Sequence, residues 1–381
     1  MATAQVSVLI DSERLDGALI DALARLELRE SDAEPGIATL RFKLVQRPNG
    51  EYTPIDDPLF AAGAKLAVEI GAPGGNPLRL FDGFVTHVRP HFEEIETNCY
   101  VEVIGMDAAV LMDAEERAAT YPNVSDKDAA AEILGRYSIP LVADDTDARW
   151  DEDHQLLTQR ATDWSFLKRL ARRNGFACYL EYDESKGGVA AYFRKPARTD
   201  NPQPDLTIQR DNANLRWLDL QFTMTGPVAT GGAAIDPVRK RLVRGNGGSD
   251  AEPAAGDDAA AEIEGGLTDA GASAATALLR DAQPDDAAIA AEGRAATDRV
   301  RQAVEARGEL DPALYRGLLR SRRPVLVKGV GARFSGTYYV SAVRTVLDQG
   351  ELTQTFIATR NALGQSGSES FGQSAEEVPP A

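Results

Sequence analysis

Residues 155–176 read QLLTQRATDWSFLKRLARRNGF. The segment carries the start, body and stop signals of one helix. Thr162 is a good N-cap, and Asp163 favours the positive end of the helix dipole. Trp164, Phe166, Leu167, Leu170 and Ala171 supply an apolar face, while Arg169, Arg172 and Arg173 sit toward the negative end. Gly175 is the expected left-handed residue after the last turn. Beyond it, 176–182 and 189–194 read as two strands joined into a hairpin by the polar turn Asp183-Glu-Ser-Lys-Gly-Gly.

Upstream, 107–112 reads as a helical turn. Ser125-Asp-Lys-Asp opens a further helix, with Ser125 as cap and Asp128 as its reciprocal partner. Ala129, Ile133, Leu134 and Tyr137 follow at helical spacing, and Pro140 forbids continuation. Residues 107–205 thus form a mixed α/β unit.

The flanks differ from this middle. Between 1 and 106, segments 6–10, 23–30, 39–45, 64–71, 80–88 and 98–105 are short and strand-like. Leu40, Phe42 and Leu44 mark one face of the third. Six strands at that spacing indicate a small barrel or sandwich. Between 206 and 363 strand alternation returns at 214–224, 325–330, 336–346 and 353–360, which reads as a second small barrel. Residues 244–290 interrupt it. From Gly245 to Asp298 there are twelve acids against Arg280 and Arg294, with almost no aromatics. This acidic Ala/Gly/Asp-rich stretch reads as a mobile loop or insertion outside the core. A helix is expected over 288–305, and 364–381 reads as a flexible tail. The fold class is therefore mainly β with an α/β insertion.

Composition sets further bounds. The 381 residues suit two or three domains. A net charge of −18 argues against nucleic acid and anionic membranes as partners. Neither a signal peptide nor a stretch long enough to cross a bilayer is evident. Cys99 and Cys178 lie in strand-like contexts and read as buried thiols of a reducing compartment.

Two segments carry a resemblance. The first, Gln155 to Phe176, resembles the strand followed by [S/T]-D-[W/F]-x-F-L-x-R-L-A-x-x-x-G of the phage late control protein D family. That family includes myophage tail hubs and the hub portion of type VI spike (VgrG) proteins. The second, Gly331-Ala-Arg-Phe-Ser-Gly-Thr-Tyr-Tyr-Val-Ser-Ala-Val-Arg-Thr-Val, is similar to the family's x-x-F-x-G-x-Y-Y-V-x-x-V-x-H, with Thr345 where a His often stands. The closing Phe356-Ile-Ala-Thr-Arg-Asn-Ala also fits. The resemblance covers roughly residues 5–363. It implies a homotrimer whose two tail-tube-like β-barrels per subunit form a pseudo-sixfold ring between tail tube and threefold spike. The implied partners are the first inner-tube ring, a spike on a separate polypeptide, and baseplate wedge components. The protein would be made in the cytoplasm and end in the assembled particle or virion.

No residue pattern points to catalysis, a metal or a cofactor. His87 and His91 are four apart, but Pro90 rules out one helical face, and His154 has no companion. Asp144, Asp145 and Asp147, with Asp151-Glu-Asp, lack the central Gly of a calcium loop. Gly226-Pro-Val-Ala-Thr-Gly-Gly has no Gly-Lys-Ser/Thr and reads as a loop after a strand. Ser165 and Ser335 lack a nucleophile-elbow context. The chain is thus expected to be non-enzymatic. A cell-wall-active enzyme and a cargo adaptor of the same machine are the competing readings. The candidate interface residues are Trp164, which reads as a core or helix-docking aromatic and also as a subunit-interface anchor, and Arg169, Arg172 and Arg173, which with Arg194 form the densest basic patch and read as a solvated helix end or as partners of a neighbouring subunit's acids.

Overall fold

The computed structural model describes residues 4–367 apart from 57, 62, 73–74, 148, 153–155, 226, 237–239, 247–251, 273–274 and 280–285. The six strands of the first part lie at Gln5–Ile10, Leu23–Ser31, Ile37–Lys43, Lys65–Gly71, Leu78–His91 and Tyr100–Asp107. Alternation explains them. Ile37–Lys43 buries Ala38, Leu40 and Phe42, whereas Thr39 and Arg41 stay half-buried on the other face.

These strands do not stand apart from the third part of the chain. One 13-stranded sheet runs through both. The seam is Gly336–Asp348, the strand of the second sequence motif. On one edge its first half, Gly336–Val340, pairs with Arg323–Val327, and its second half, Ala342–Asp348, pairs with Arg25–Ser31. Its other edge carries Glu351–Arg360 through a two-residue hairpin. Gln349 and Gly350 have φ of 49° and 85°, the signs that the right-handed twist of a tight hairpin demands. Among the described residues the strands of both parts join in one sheet, from which Gln203–Thr207 and Arg323–Lys328 branch at the seam strand.

Three hydrophobic clusters fill the molecule. The first lies under residues 8–103 and also takes Leu318 and Leu352. The second lies within 108–193. The third lies within 206–363. The second contains the motif helix, Asp163–Asn174, in which Trp164, Phe166, Leu167, Leu170 and Ala171 are all buried. Thr162 accepts a hydrogen bond from the Ser165 amide, and Gly175 closes the helix at φ 70°. A Cβ at Gly175 would stand 3.0 Å from the Ala295 methyl, so the position also lets the helix Asp286–Val300 come close. Ser125 and Asp128 form the reciprocal cap of helix Asp126–Gly135.

Residues 244–290 correct the loop reading. Those described include the strand Arg241–Asn246 and the helix Ala259–Asp269, whose Ala259, Ala260 and Ile263 join the third cluster. The eleven residues of this helix include three alanines and two glycines and one each of Ile and Leu, so few large apolar side chains announce a core helix. Arg360 and Asn361 of the closing motif hold this segment down. Asn361 accepts from the Ala255 amide at 3.1 Å and donates to the Pro253 carbonyl at 3.1 Å. Arg360 donates to the carbonyls of Ala255 at 2.5 Å and Gly364 at 2.7 Å. The supposed loop after Gly226 is also a strand, Pro227–Asp236, which pairs with Arg241–Asn246 and Ala275–Leu278. Most of the expected tail, residues 368–381, lies outside the described residues.

Candidate assembly interface

Both sequence motifs converge on the strand Leu23–Ser31. Lys168 of the motif helix donates to the carbonyls of Asp32 at 3.2 Å and Ala33 at 2.6 Å. Burial holds its ammonium below the usual lysine range. The seam strand pairs with the same strand, and the Ser341 carbonyl accepts from the Asp32 amide at 3.1 Å.

A buried ionic junction fills the meeting point. Arg320 donates to Glu30 at 2.9 Å and to Glu181 at 2.9 Å. Glu181 also accepts from Arg323 at 2.9 Å. Arg322 reaches the Ser31 carbonyl at 2.8 Å and lies 4.2 Å over the Tyr179 ring. Strand Leu23–Ser31, hairpin strand Ala177–Asp183 and the 320–323 loop are thereby tied together. Such a junction adds little net stability over an apolar equivalent, but it fixes geometry, and losing one member strands a buried charge. One sequence signal existed: Glu30 continues the buried face of Leu26 and Leu28. Thr345, the departure from the family pattern, has a role here. Its hydroxyl accepts from Gln354 at 2.9 Å, and Gln354 bonds both main-chain groups of Leu319, next to Arg320.

The four candidate interface residues divide. Trp164 is buried in the second cluster, so it is not an exposed anchor in the single chain. Arg173 points inward to fully buried Asp126, which also accepts from Trp150 Nε1 at 2.8 Å and Asn174 at 2.6 Å. Asp163, expected only as a dipole partner, is likewise fully buried and accepts from Gln159 at 2.7 Å and Tyr137 at 2.8 Å. Arg194 faces Asp200 at 3.8 Å. Arg169 and Arg172 line a groove of about 820 Å³ with Arg160 and Arg299.

A second groove, of about 950 Å³, lies on the face of the large sheet. Most of its charges are paired: Arg41 with Glu102 at 2.8 Å, Arg29 with Glu27 at 2.7 Å and Arg25 with Asp348 at 2.5 Å, and Arg344 beside the groove also reaches Glu27 at 2.6 Å. Hydrogen bonding from Arg344, assisted by Arg29, holds the Glu27 carboxyl down at about 2.

The polar groups weighed for chemistry do not converge. His87 faces Thr86, and His91 pairs with Glu93 at 3.0 Å while stacking on Tyr100; His154 lies outside the described residues. Asp144 accepts from the Lys195 amide, Asp145 pairs with Lys127 and Asp147 with Arg294. Among the described residues no three His, Cys, Asp or Glu side chains are grouped to hold a metal, and no helix is long and apolar enough to cross a membrane. Cys99 and Cys178 are buried free thiols, and burial pushes Cys178 up to about 12.

Against this geometry, comparison with known proteins is informative at the level of fold. A tail protein of Neisseria meningitidis MC58 superposes with a TM-score of 0.62 at 11% identity, over 95% of this chain and 98% of that one. The 43 kDa tail protein of prophage MuSo2 from Shewanella oneidensis gives 0.63 at 12%, over 95% and 100%. The E. coli c3393 protein, described as a component of the type VI secretion system with structural similarity to the T4 tail proteins gp27 and gp5, gives 0.51 at 13%, over 94% and 76%. This chain has the fold of phage tail proteins. A family model described as the Alg8 N-terminal domain matches residues 36–196. No curated protein matches.

Proposed function

We propose that the chain is a subunit of the hub at the centre of the baseplate of a phage-tail-like contractile injection machine. The observation that carries this reading is the mutual, near-complete coverage with two tail proteins. In this reading three copies form a ring. Residues 1–106 and 206–363 act as two tail-tube-like barrel units per subunit, with 107–205 as the α/β unit between them. The ring then offers a pseudo-sixfold face to the first inner-tube ring and a threefold face to the spike, with wedge components outside. The role is architectural, and the protein resides in the assembled particle. The rigid tie between both motifs and the Arg320 junction supports it, because a tube–spike adaptor must transmit load without shear.

Absolute mass by light scattering across a dilution series tests the ring. A species near three times 40.9 kDa that persists on dilution is expected. A monomer at every concentration, both alone and co-expressed with the spike protein, would remove the trimeric hub.

A further inference from the structure

The arginine groove supports an inference that rests on the assembly reading and narrows it to one contact. Besides Arg173, which is paired with Asp126, its cations come from three elements: Arg160 from Leu157–Thr162, Arg169 and Arg172 from the motif helix, and Arg299 from Asp286–Val300. Among the described residues none of the four has a carboxylate within ion-pair distance. Arg169 donates instead to the Thr158 carbonyl at 3.0 Å, and Arg299 to the Arg172 carbonyl at 2.6 Å. Burial holds both Arg169 and Arg299 below the usual arginine range, and the neighbouring cations Arg173 and Arg172 push the same way, while Glu292 and Asp298 oppose the shift at Arg299. Glu292 is the one acid among the described lining residues. In a chain of net charge −18, acids are abundant elsewhere, so four arginines left together form a local field that an incoming anion would relieve.

The walls select the class of anion. Leu156 and Leu278 are 39% and 79% exposed, and Ala296 and Val300 complete an aliphatic lining. Trp150, the aromatic among the described lining residues, is 6% exposed and covered by Arg173 at 4.5 Å, so no ring is offered for nucleobase stacking. Ala275–Leu278, which supplies Ala277 and Leu278, is the outer strand of its three-stranded sheet. Carboxylates spaced along an extended chain, with aliphatic side chains between them, match both features. We propose that this groove docks an extended acidic, aliphatic segment of a partner protein in the assembly.

The test is fluorescence anisotropy with a short labelled peptide alternating Asp or Glu with Leu and Ala. Saturable binding at low salt is expected, weakening as salt rises. Arg160→Glu and the double variant R172E/R299E should each weaken it by at least about ten-fold, the scale of a lost charge-assisted contact. Arg160 is exposed, and its side chain makes no hydrogen bond or ion pair among the described residues, so it serves if the double variant unfolds. A Gln-for-Glu and Asn-for-Asp peptide should not bind, and an equally charged oligothymidylate should not compete. Absence of peptide binding, equal binding by Arg160→Glu, or tighter binding of the oligonucleotide would overturn the proposal. Light scattering on the same samples keeps the two readings apart. A trimer that ignores the peptide ends the groove proposal alone, and a chain that stays monomeric both alone and co-expressed with the spike protein ends the hub.

Discussion

The molecule uses arginine in two opposite ways, at the Arg320 junction and in the groove beside the motif helix. At the junction every arginine meets a carboxylate or a carbonyl of another part of the chain, and the charges of Arg320, Arg322, Glu30 and Glu181 lie mostly buried while Arg323 caps them from the surface. In the groove Arg160, Arg169, Arg172 and Arg299 come together with none of them in an ion pair among the described residues, although Glu292 shares the lining. Buried, paired arginines define how the parts of one subunit sit together. Partly exposed ones without a carboxylate partner are the surface left for something outside it. The same residue type therefore separates internal architecture from external contact, and substitutions should sort accordingly.

The largest effect is expected at the junction. Glu181→Ala leaves Arg320, Arg322 and Arg323 crowded around an empty site and should cost about 3–5 kcal/mol, read as a lowered urea midpoint. A change below about 1 kcal/mol would show that the junction is hydrated rather than structural. Next is Gly175→Ala. It forces a left-handed backbone on a residue with a Cβ and presses on Ala295, so a loss of about 1–2 kcal/mol is expected. Because it pries the motif helix from Asp286–Val300, it should also weaken peptide binding in the groove.

A smaller effect follows from the paired sheet-face groove. The Glu27 carboxyl is depressed from 4.5 to about 2. Its stabilisation is fully present above pH 4.5 and is lost as pH falls through 2. Glu27→Gln should flatten the acid limb of the stability profile in that window and leave neutral cysteine reactivity unchanged. An unaltered acid limb would contradict the pairing. The smallest effect is in the arginine groove. Arg172→Gln should change stability by no more than about 0.5 kcal/mol, measured by thermal melting, because no ion pair is lost. A large loss there would place Arg172 with the architecture instead.

Much of this was legible from local patterns. The motif helix, its Thr162 cap, the Gly175 stop and the Ser125–Asp128 box follow from rules that act over four residues, and the strands of the first part follow from period-two alternation. What escaped was non-local. Nothing in the text around Gly336 says that one half of that strand pairs with residues 323–327 and the other with residues 25–31. Arg173 looked like one of three equivalent surface arginines, because its partner Asp126 is 47 positions away. The helix at 259–269 was hidden because it has few large apolar side chains, although Asn361 and Arg360 hold the segment leading into it. Glu30 was readable, since a charge in register with Leu26 and Leu28 demands a buried partner, but the partners Arg320 and Glu181 were not.

The central claim is that this fold serves as the hub of an injection machine. The most direct measurement is the copy number of the chain in purified assembled particles, by quantitative mass spectrometry against the tube protein. The account predicts about three copies per particle, lost together with the spike when the tip is removed. Absence from intact particles, or a number that scales with tube length, would contradict it.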